Sequence, residues 1–155
     1  MNPGDVQIGG AAVLAFSMLA VTTAFHYEGL RFLEYGATGR SVSRHRTVGL
    51  LTALVALHLA EIALYAVAYA AGANLFGLGS LRGSSGRAWV DFLYFAAETY
   101  STLGYGDLVP VGPLRLVAGV EALNGLLLLA WSGAFLFGML DGGPPRATRK
   151  RPRRV

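Results

Sequence analysis

The sequence contains no cysteine, and charged residues make up only 14% of its 155 residues, against roughly 25% in typical soluble domains. The absence of cysteine excludes disulfide bonds and thiolate metal sites. The shortage of charge, combined with a hydrophobic content of 54%, is typical of a membrane protein. The length is that of one domain, and no internal repeat is visible.

Three long apolar segments predict three transmembrane helices. The first covers residues 6–25, carries no charged residue and is expected to continue to about residue 35; the others cover about 47–71 and 112–140. Between the second and third spans, residues 88–101 form an amphipathic segment that is too short to cross a bilayer. We therefore predict an all-α membrane protein with three transmembrane helices and one re-entrant helix.

The basic residues are distributed asymmetrically. The stretch 40–46 holds three arginines and the stretch 146–154 holds six basic residues, whereas the region between the second and third spans holds only Arg82 and Arg87. The positive-inside rule then predicts that the first connection and the C-terminal tail are cytoplasmic, with the N-terminus and region 72–111 outside. A basic tail beside an apolar helix is expected to contact anionic lipid rather than nucleic acid.

Residues 99–107 read TYSTLGYGD, an unusual stretch for a membrane segment. Irregular backbone is tolerated at membrane depth only where it is buried in protein or lines water. Gly104 and Gly106 can adopt positive φ without steric cost, and alternating left- and right-handed backbone turns successive carbonyls to one side. Such carbonyls can replace the water shell of a cation, and the Thr102 hydroxyl can add one more oxygen. The preceding helix directs the negative end of its dipole toward the membrane centre.

The run TLGYGDLVP, with a short helix before it and one span on each side, resembles the pore domain of potassium channels, most closely small bacterial members. The resemblance covers about residues 47–140 and implies a potassium-selective channel rather than an enzyme. Because a family pore needs four filters and this chain has one, it also implies a cyclic homotetramer in the cell membrane, the bacterial inner membrane. The implied cofactors are K⁺ ions in the filter, with no organic cofactor. Residues 1–46 are then an additional helix with its basic cytoplasmic loop, and 141–155 a basic cytoplasmic tail.

The resemblance also implies roles for single residues around the filter, which occupies residues 102–106 between pore helix 88–101 and inner helix 112–140. Leu103 stands where valine or isoleucine is commoner. Glu98 and Asp107 match filter-supporting carboxylates, and we expect the two to interact behind the filter. Tyr94 and Phe95 match an aromatic cuff. The implied filter residues are Thr102, Leu103, Gly104, Tyr105 and Gly106, with K⁺ bound at the first four.

The inner helix contributes candidate gating and cavity residues. Gly125 matches a hinge glycine if one residue is deleted near 113–115. Ala134 lies nine residues further along and could line a cavity, and Phe137 lies deeper and could form an apolar constriction. The alternatives are close helix packing for the small residue and contact with lipid or an interface for the phenylalanine.

Several ionisable residues interrupt the apolar spans, where such residues are costly. A hairpin centred near residues 41–42 places His26 and His58 at similar depth, and His58 and Glu61 share a helical face. Three interpretations remain open for this set: hydrogen bonds that tie the extra helix to the pore domain, a pH sensor, or a divalent-metal site of the zinc type. The last corresponds to an alternative function, a small membrane metal transporter or an intramembrane His/Glu metal-site enzyme. Glu121 and Asn124 also share a face, and we expect them to bond to the back of the pore helix.

Overall fold

The computed structural model describes residues 2–37, 43–83 and 89–141. Four features lie outside the described residues: the predicted hairpin turn near residues 41–42, Arg87, residue 88 of the predicted pore helix, and the basic tail from residue 142. The described elements are four helices and two short strands, in the order α1 (Pro3–Ala37), α2 (Arg44–Asn74), β1 (Ser80–Arg82), α3 (Trp89–Tyr100), β2 (Val109–Val111) and α4 (Leu114–Asp141).

Three of the four helices, α1, α2 and α4, are long and apolar enough to cross a membrane. The helix α3 has 12 residues and rises about 18 Å, well short of the roughly 30 Å hydrocarbon core. The predicted all-α membrane protein with three spans and one short helix is therefore confirmed.

The helix boundaries differ from the predicted ones by a few residues, for local reasons. Ser43 is extended and its hydroxyl accepts a hydrogen bond from the Arg46 backbone N–H at 3.4 Å, so α2 begins at Arg44, before the apolar run. Gly112 has a φ of 74°, which keeps it out of a right-handed helix and starts α4 after Pro113.

The strands β1 and β2 form an antiparallel ladder that the sequence analysis did not predict. Ser80 pairs with Val111 and Arg82 with Val109. The ladder joins the segment before α3 to the segment after the TLGYG stretch. The two ends of the segment that contains α3 and the TLGYG stretch are thereby held together.

The helix α3 packs against both α2 and α4, while α1 packs against α2 and α4. Large aromatic side chains fill the space between α2 and α3. Tyr69 and Phe95 meet edge to face with ring centroids 4.9 Å apart, and Tyr65 and Tyr100 are buried beside them. Aromatic pairs of this geometry add stabilisation beyond their buried area.

Polar side chains cross-link the apolar helices. The Tyr69 hydroxyl donates to Glu121. The Asn124 amide donates to the Thr22 hydroxyl at 2.7 Å and to the Tyr65 hydroxyl at 3.0 Å, which joins α4 to α1 and α2. The prediction that Glu121 and Asn124 bond to the back of the pore helix is therefore wrong. The reason is that α2 presents two tyrosines four residues apart on the face toward α4, and their hydroxyls reach these groups.

Gly125 marks the point where α4 crosses the end of α3. A Cβ atom at Gly125 would lie 2.9 Å from the carbonyl carbon of Tyr100 and closer still to its oxygen. The absence of a side chain therefore lets the backbones of α3 and α4 approach directly.

We predict that Gly125→Ala destabilises the folded protein by about 1–3 kcal/mol, because the added methyl group overpacks a contact with backbone. The measurement is the thermal unfolding midpoint of the purified chain in detergent. Gly119→Ala is the matched control, since no atom lies within 4 Å of a Cβ there. Equal midpoints for the two variants would contradict this account of Gly125.

Candidate functional site

The chain leaves α3 through a complete Schellman turn. The Leu103 N–H donates to the Glu98 carbonyl at 2.8 Å, and the Thr102 N–H donates to the Thr99 carbonyl at 3.0 Å, which satisfies two carbonyls at the helix end. Thr102 occupies the left-handed position with a φ of 58° and is the one non-glycine with positive φ among the described residues. A threonine costs energy there, and such strain is characteristic of functional segments.

The backbone after the turn alternates in handedness. The φ angle is positive at Thr102 (58°), Gly104 (56°) and Gly106 (81°), and not at Leu103 or Tyr105 between them. All five residues are exposed in the single chain. This alternation is the backbone pattern that turns successive carbonyls to one side. The segment therefore offers a row of oxygens suited to a dehydrated cation.

Glu98 holds this segment from inside the chain. Its residue is 3% exposed, and its carboxylate accepts a hydrogen bond from the Tyr105 backbone N–H at 3.0 Å. Burial raises the pKa of the Glu98 carboxyl, the hydrogen bond from the Tyr105 N–H lowers it, and the negative charge of Asp107 raises it further. A helix residue thus fixes the position of a residue seven places later.

The aromatic residues of α3 lie on different sides of the helix. The Tyr94 ring stacks with the Tyr105 ring at 6.5 Å between centroids and 5° between planes, and its hydroxyl donates to Asp107 at 3.2 Å. Phe95 is buried against Tyr69 of α2 instead. Glu98 and Asp107 take hydrogen bonds from different donors, the Tyr105 N–H and the Tyr94 hydroxyl, so their direct coupling stays a prediction.

The candidate residues of α4 fall into two groups. Gly125 lies against the end of α3, so it has a packing role whatever its contribution to bending. Ala134 and Phe137 lie on the exposed surface of α4 in the single chain, and Phe137 is 69% exposed. That surface is free for contact with a cavity, a neighbouring chain or lipid.

A separate set of candidate residues, which we call the His–Glu cluster, consists of His26 of α1 with His58 and Glu61 of α2. His26 and Glu61 are buried and His58 is partly buried. His26 Nδ1 lies 2.8 Å from one carboxylate oxygen of Glu61, and His58 Nδ1 lies 3.1 Å from the other. The two imidazole centroids are 5.3 Å apart, as expected from a hairpin that brings the histidines to similar depth. The cluster joins α1 to the rest of the chain.

Tyr100 connects the His–Glu cluster to the end of α3, a role the sequence analysis missed. Its hydroxyl donates to Glu61 and lies 2.9 Å from His58 Nδ1. The available signal was the position of Tyr100 in the last turn of the pore helix, two residues before Thr102. Nothing in the sequence, however, indicated that a residue 39 positions away from Glu61 would contact it.

Comparison with known proteins gives one family match. A family model described as an ion channel matches residues 50–141, more than half of the chain.

The sequence is 32% identical to the inward rectifier potassium channel Kirbac3.1 of Paramagnetospirillum magnetotacticum over 88 residues, which are 56% of this chain and 28% of the relative. Over 55 residues, 35% of this chain and 16% of the relative, it is 40% identical to the uncharacterized membrane protein YdjJ of Bacillus subtilis (strain 168). The chain thus spans less than a third of the length of either curated relative. No solved structure matches it.

We predict that Tyr100→Phe destabilises the folded protein by about 1–3 kcal/mol, because the buried Glu61 carboxylate loses a hydrogen-bond donor. Thermal unfolding of the purified protein measures the effect. Tyr27→Phe is the control, since Tyr27 is 48% exposed. A Tyr100→Phe midpoint equal to that of the control would show that the hydroxyl bond contributes nothing to stability.

Proposed function

The chain belongs to the ion channel family, and from that premise we propose that it is a potassium-selective channel, passing K⁺ passively down its gradient through a homotetrameric pore. The family match points to a channel rather than an enzyme. The family match does not identify the conducted ion, the filter residues or the number of subunits, for which this chain's own residues provide the support.

The observation that carries the proposal is the alternating backbone of residues 102–106. In this proposal the carbonyls of Thr102, Leu103, Gly104 and Tyr105, with the Thr102 hydroxyl, form the K⁺ sites and replace the water shell of the ion. The helix α3 ends immediately before them, so the negative end of its dipole favours a cation below the filter. The name of Kirbac3.1, a potassium channel, supports K⁺ as the ion.

The exposure of the filter supports an oligomer, and the resemblance to potassium-channel pores, which need four filters, supports a homotetramer. The chain has one TLGYG segment, and residues 101–107 are all exposed in the single chain. Exposed irregular backbone is not tolerated in lipid, so further copies must cover it. A closed ring of identical chains does so and places every filter on one axis.

The remaining candidate residues receive supporting roles. Glu98, Tyr94 and Asp107 hold the filter from behind. Gly125, Ala134 and Phe137 belong to the helix that lines the inner cavity and gate. We place the protein in the cell membrane with its N-terminus outside and its C-terminus in the cytoplasm, where the basic tail contacts anionic lipid.

The test is the reversal potential of the full chain, reconstituted in planar bilayers under opposed K⁺ and Na⁺ gradients. We expect a permeability ratio far above one in favour of K⁺, and a ratio near one would contradict the proposal. Gly104→Ala should abolish K⁺ flux, because an alanine at a φ of 56° costs about 1–2 kcal/mol and distorts the carbonyl row. Gly36→Ala is the control, since Gly36 is exposed and, among the described residues outside its own helix backbone, no atom lies within 4 Å of a Cβ there.

We further predict that Glu98→Ala alters the slow loss of current during sustained opening and leaves selectivity largely intact. The variant removes the acceptor of the Tyr105 N–H, and a hydrogen bond to a charged group contributes about 1.5–3 kcal/mol, enough to change the rate on the order of tenfold. Glu98→Gln should behave more like the original protein, because its amide oxygen can still accept the bond.

The control for this prediction is Glu28→Ala, which removes an exposed carboxylate on α1 that pairs with Arg31. Decay kinetics are measured in the same bilayers at fixed voltage. If Glu98→Ala and Glu28→Ala decay at the same rate, Glu98 does not set the stability of the filter.

A further inference from the structure

The His–Glu cluster lies where all four helices meet. His26 comes from α1, His58 and Glu61 from α2, and Tyr100 from α3, while the Ser132 hydroxyl of α4 lies 3.4 Å from His26 Nε2. His26 and Glu61 are fully buried. The conduction proposed above uses none of these side chains.

We propose that His26, His58 and Glu61 bind a divalent transition-metal ion of the zinc type and that this ion fastens α1 to the pore-forming helices. Two imidazoles and one carboxylate are a donor set that Zn²⁺ accepts, with a fourth position left for another oxygen. The absence of cysteine makes nitrogen and oxygen the available ligands. This inference goes beyond the proposed channel function and does not depend on it.

The separation of the donor atoms suits a single ion. The candidate ligand atoms of the three residues all lie within 4.8 Å of one another. Ligands around a tetrahedral Zn²⁺, with bonds of about 2.0–2.1 Å, are roughly 3.3 Å apart. His26 Nδ1 and His58 Nδ1 lie 2.8 and 3.1 Å from different oxygens of the Glu61 carboxylate. An ion between the three side chains would therefore face both oxygens, and each separation has to open by only a few tenths of an ångström. The imidazole ligand atoms, which lie at most 4.8 Å apart, also have to draw together.

The surrounding groups provide the second layer of contacts that a metal site requires. When Nδ1 of His26 binds the ion, its proton must reside on Nε2, and that atom faces the Ser132 hydroxyl, which can accept it. The Tyr100 hydroxyl lies 2.9 Å from His58 Nδ1 and contacts Glu61. It can therefore supply the fourth oxygen or continue to donate to the carboxylate.

The same atoms also form a satisfied hydrogen-bonded set without metal, which is the competing account. In that account Nδ1 of His26 carries a proton and donates it to Glu61, so this nitrogen cannot bind a metal ion. The two accounts differ in which histidine nitrogens carry protons and in whether metal raises stability. His58 is the most accessible member of the cluster in the single chain, with a side chain that is 12% exposed whereas that of Glu61 is fully buried.

The experiment titrates Co²⁺, as a spectroscopic substitute for Zn²⁺, into the full chain purified in detergent and treated with a chelator. We expect the visible absorption of tetrahedral Co²⁺ at one equivalent per chain, and its loss when Zn²⁺ is added. Saturating Zn²⁺ should raise the thermal midpoint by about 5 °C or more.

Variants locate the site. His26→Gln and His58→Gln should weaken Co²⁺ binding by at least about tenfold, and glutamine retains polar atoms for the hydrogen bonds to Glu61. His45→Ala is the matched control, because His45 is exposed at the start of α2 and outside the cluster. Binding that survives both glutamine substitutions, or that disappears in His45→Ala, would overturn the proposal.

A measurement on the unaltered chain keeps the test independent of how the variants fold. X-ray absorption at the zinc edge should show two imidazoles and one or two oxygen ligands per ion. The proposal fails if the folded chain binds no Co²⁺, or if the bound zinc carries fewer than two imidazoles. Because neither measurement uses ion flux, a chain that binds metal but does not select K⁺ would contradict the channel proposal alone.

Discussion

A backbone N–H or C=O group inside a bilayer has no water to bond, so its partner must come from the protein or from an ion. This constraint governs the segment that leaves α3. The Schellman turn satisfies the carbonyls of Glu98 and Thr99, and the Glu98 side chain satisfies the N–H of Tyr105. The N–H groups of Thr102, Leu103 and Tyr105 are thus bonded within the chain, while the segment itself stays exposed in the single chain. The β1–β2 ladder and the close crossing at Gly125 hold the two ends of this arrangement in place.

Polar side chains on the long helices also need hydrogen-bond partners within the protein, because lipid offers none. Apolar surfaces alone fix the axial position of one transmembrane helix against another only weakly, because lipid competes equally for them. On α2, Glu61, Tyr65 and Tyr69 follow each other at four-residue intervals on one buried face. They contact His26, Asn124 and Glu121, respectively. A shift of either neighbour by one turn would leave these groups unpaired in an apolar interior, so the polar contacts define the register.

The features that could be predicted from the sequence are those determined by local chemistry. A span needs about 20 apolar residues and a filter needs its glycines in order, so the three helices and the TLGYG segment could be recognised from the composition and the motif.

Contacts between residues that are distant in the sequence could not be predicted. From the sequence, Glu121 and Asn124 could have faced either the predicted pore helix or α2. They face α2 because Tyr65 and Tyr69 place their hydroxyls toward α4. The role of Tyr100 and the pairing of two three-residue strands depend on the folded arrangement, because segments so short have no distinctive pattern. The helix starts at Arg44 and Leu114 were shifted by a serine cap and a left-handed glycine.

The polar contacts of α1 bear on whether the other helices can be stable without it. Thr22 and His26 cover Asn124 and Glu61, which belong to the helices that surround α3. A shortened chain without α1 would turn an amide and a carboxylate toward hydrocarbon with fewer hydrogen bonds. Asn124 would keep Tyr65, and Glu61 would keep His58 and Tyr100. Each lost bond to a buried polar group costs about 1–3 kcal/mol. The extra helix is therefore not a detachable accessory. As long as α2 carries Glu61 and α4 carries Asn124, loss of α1 removes a hydrogen bond from each, so a stable shortened variant is expected to need replacements at both positions.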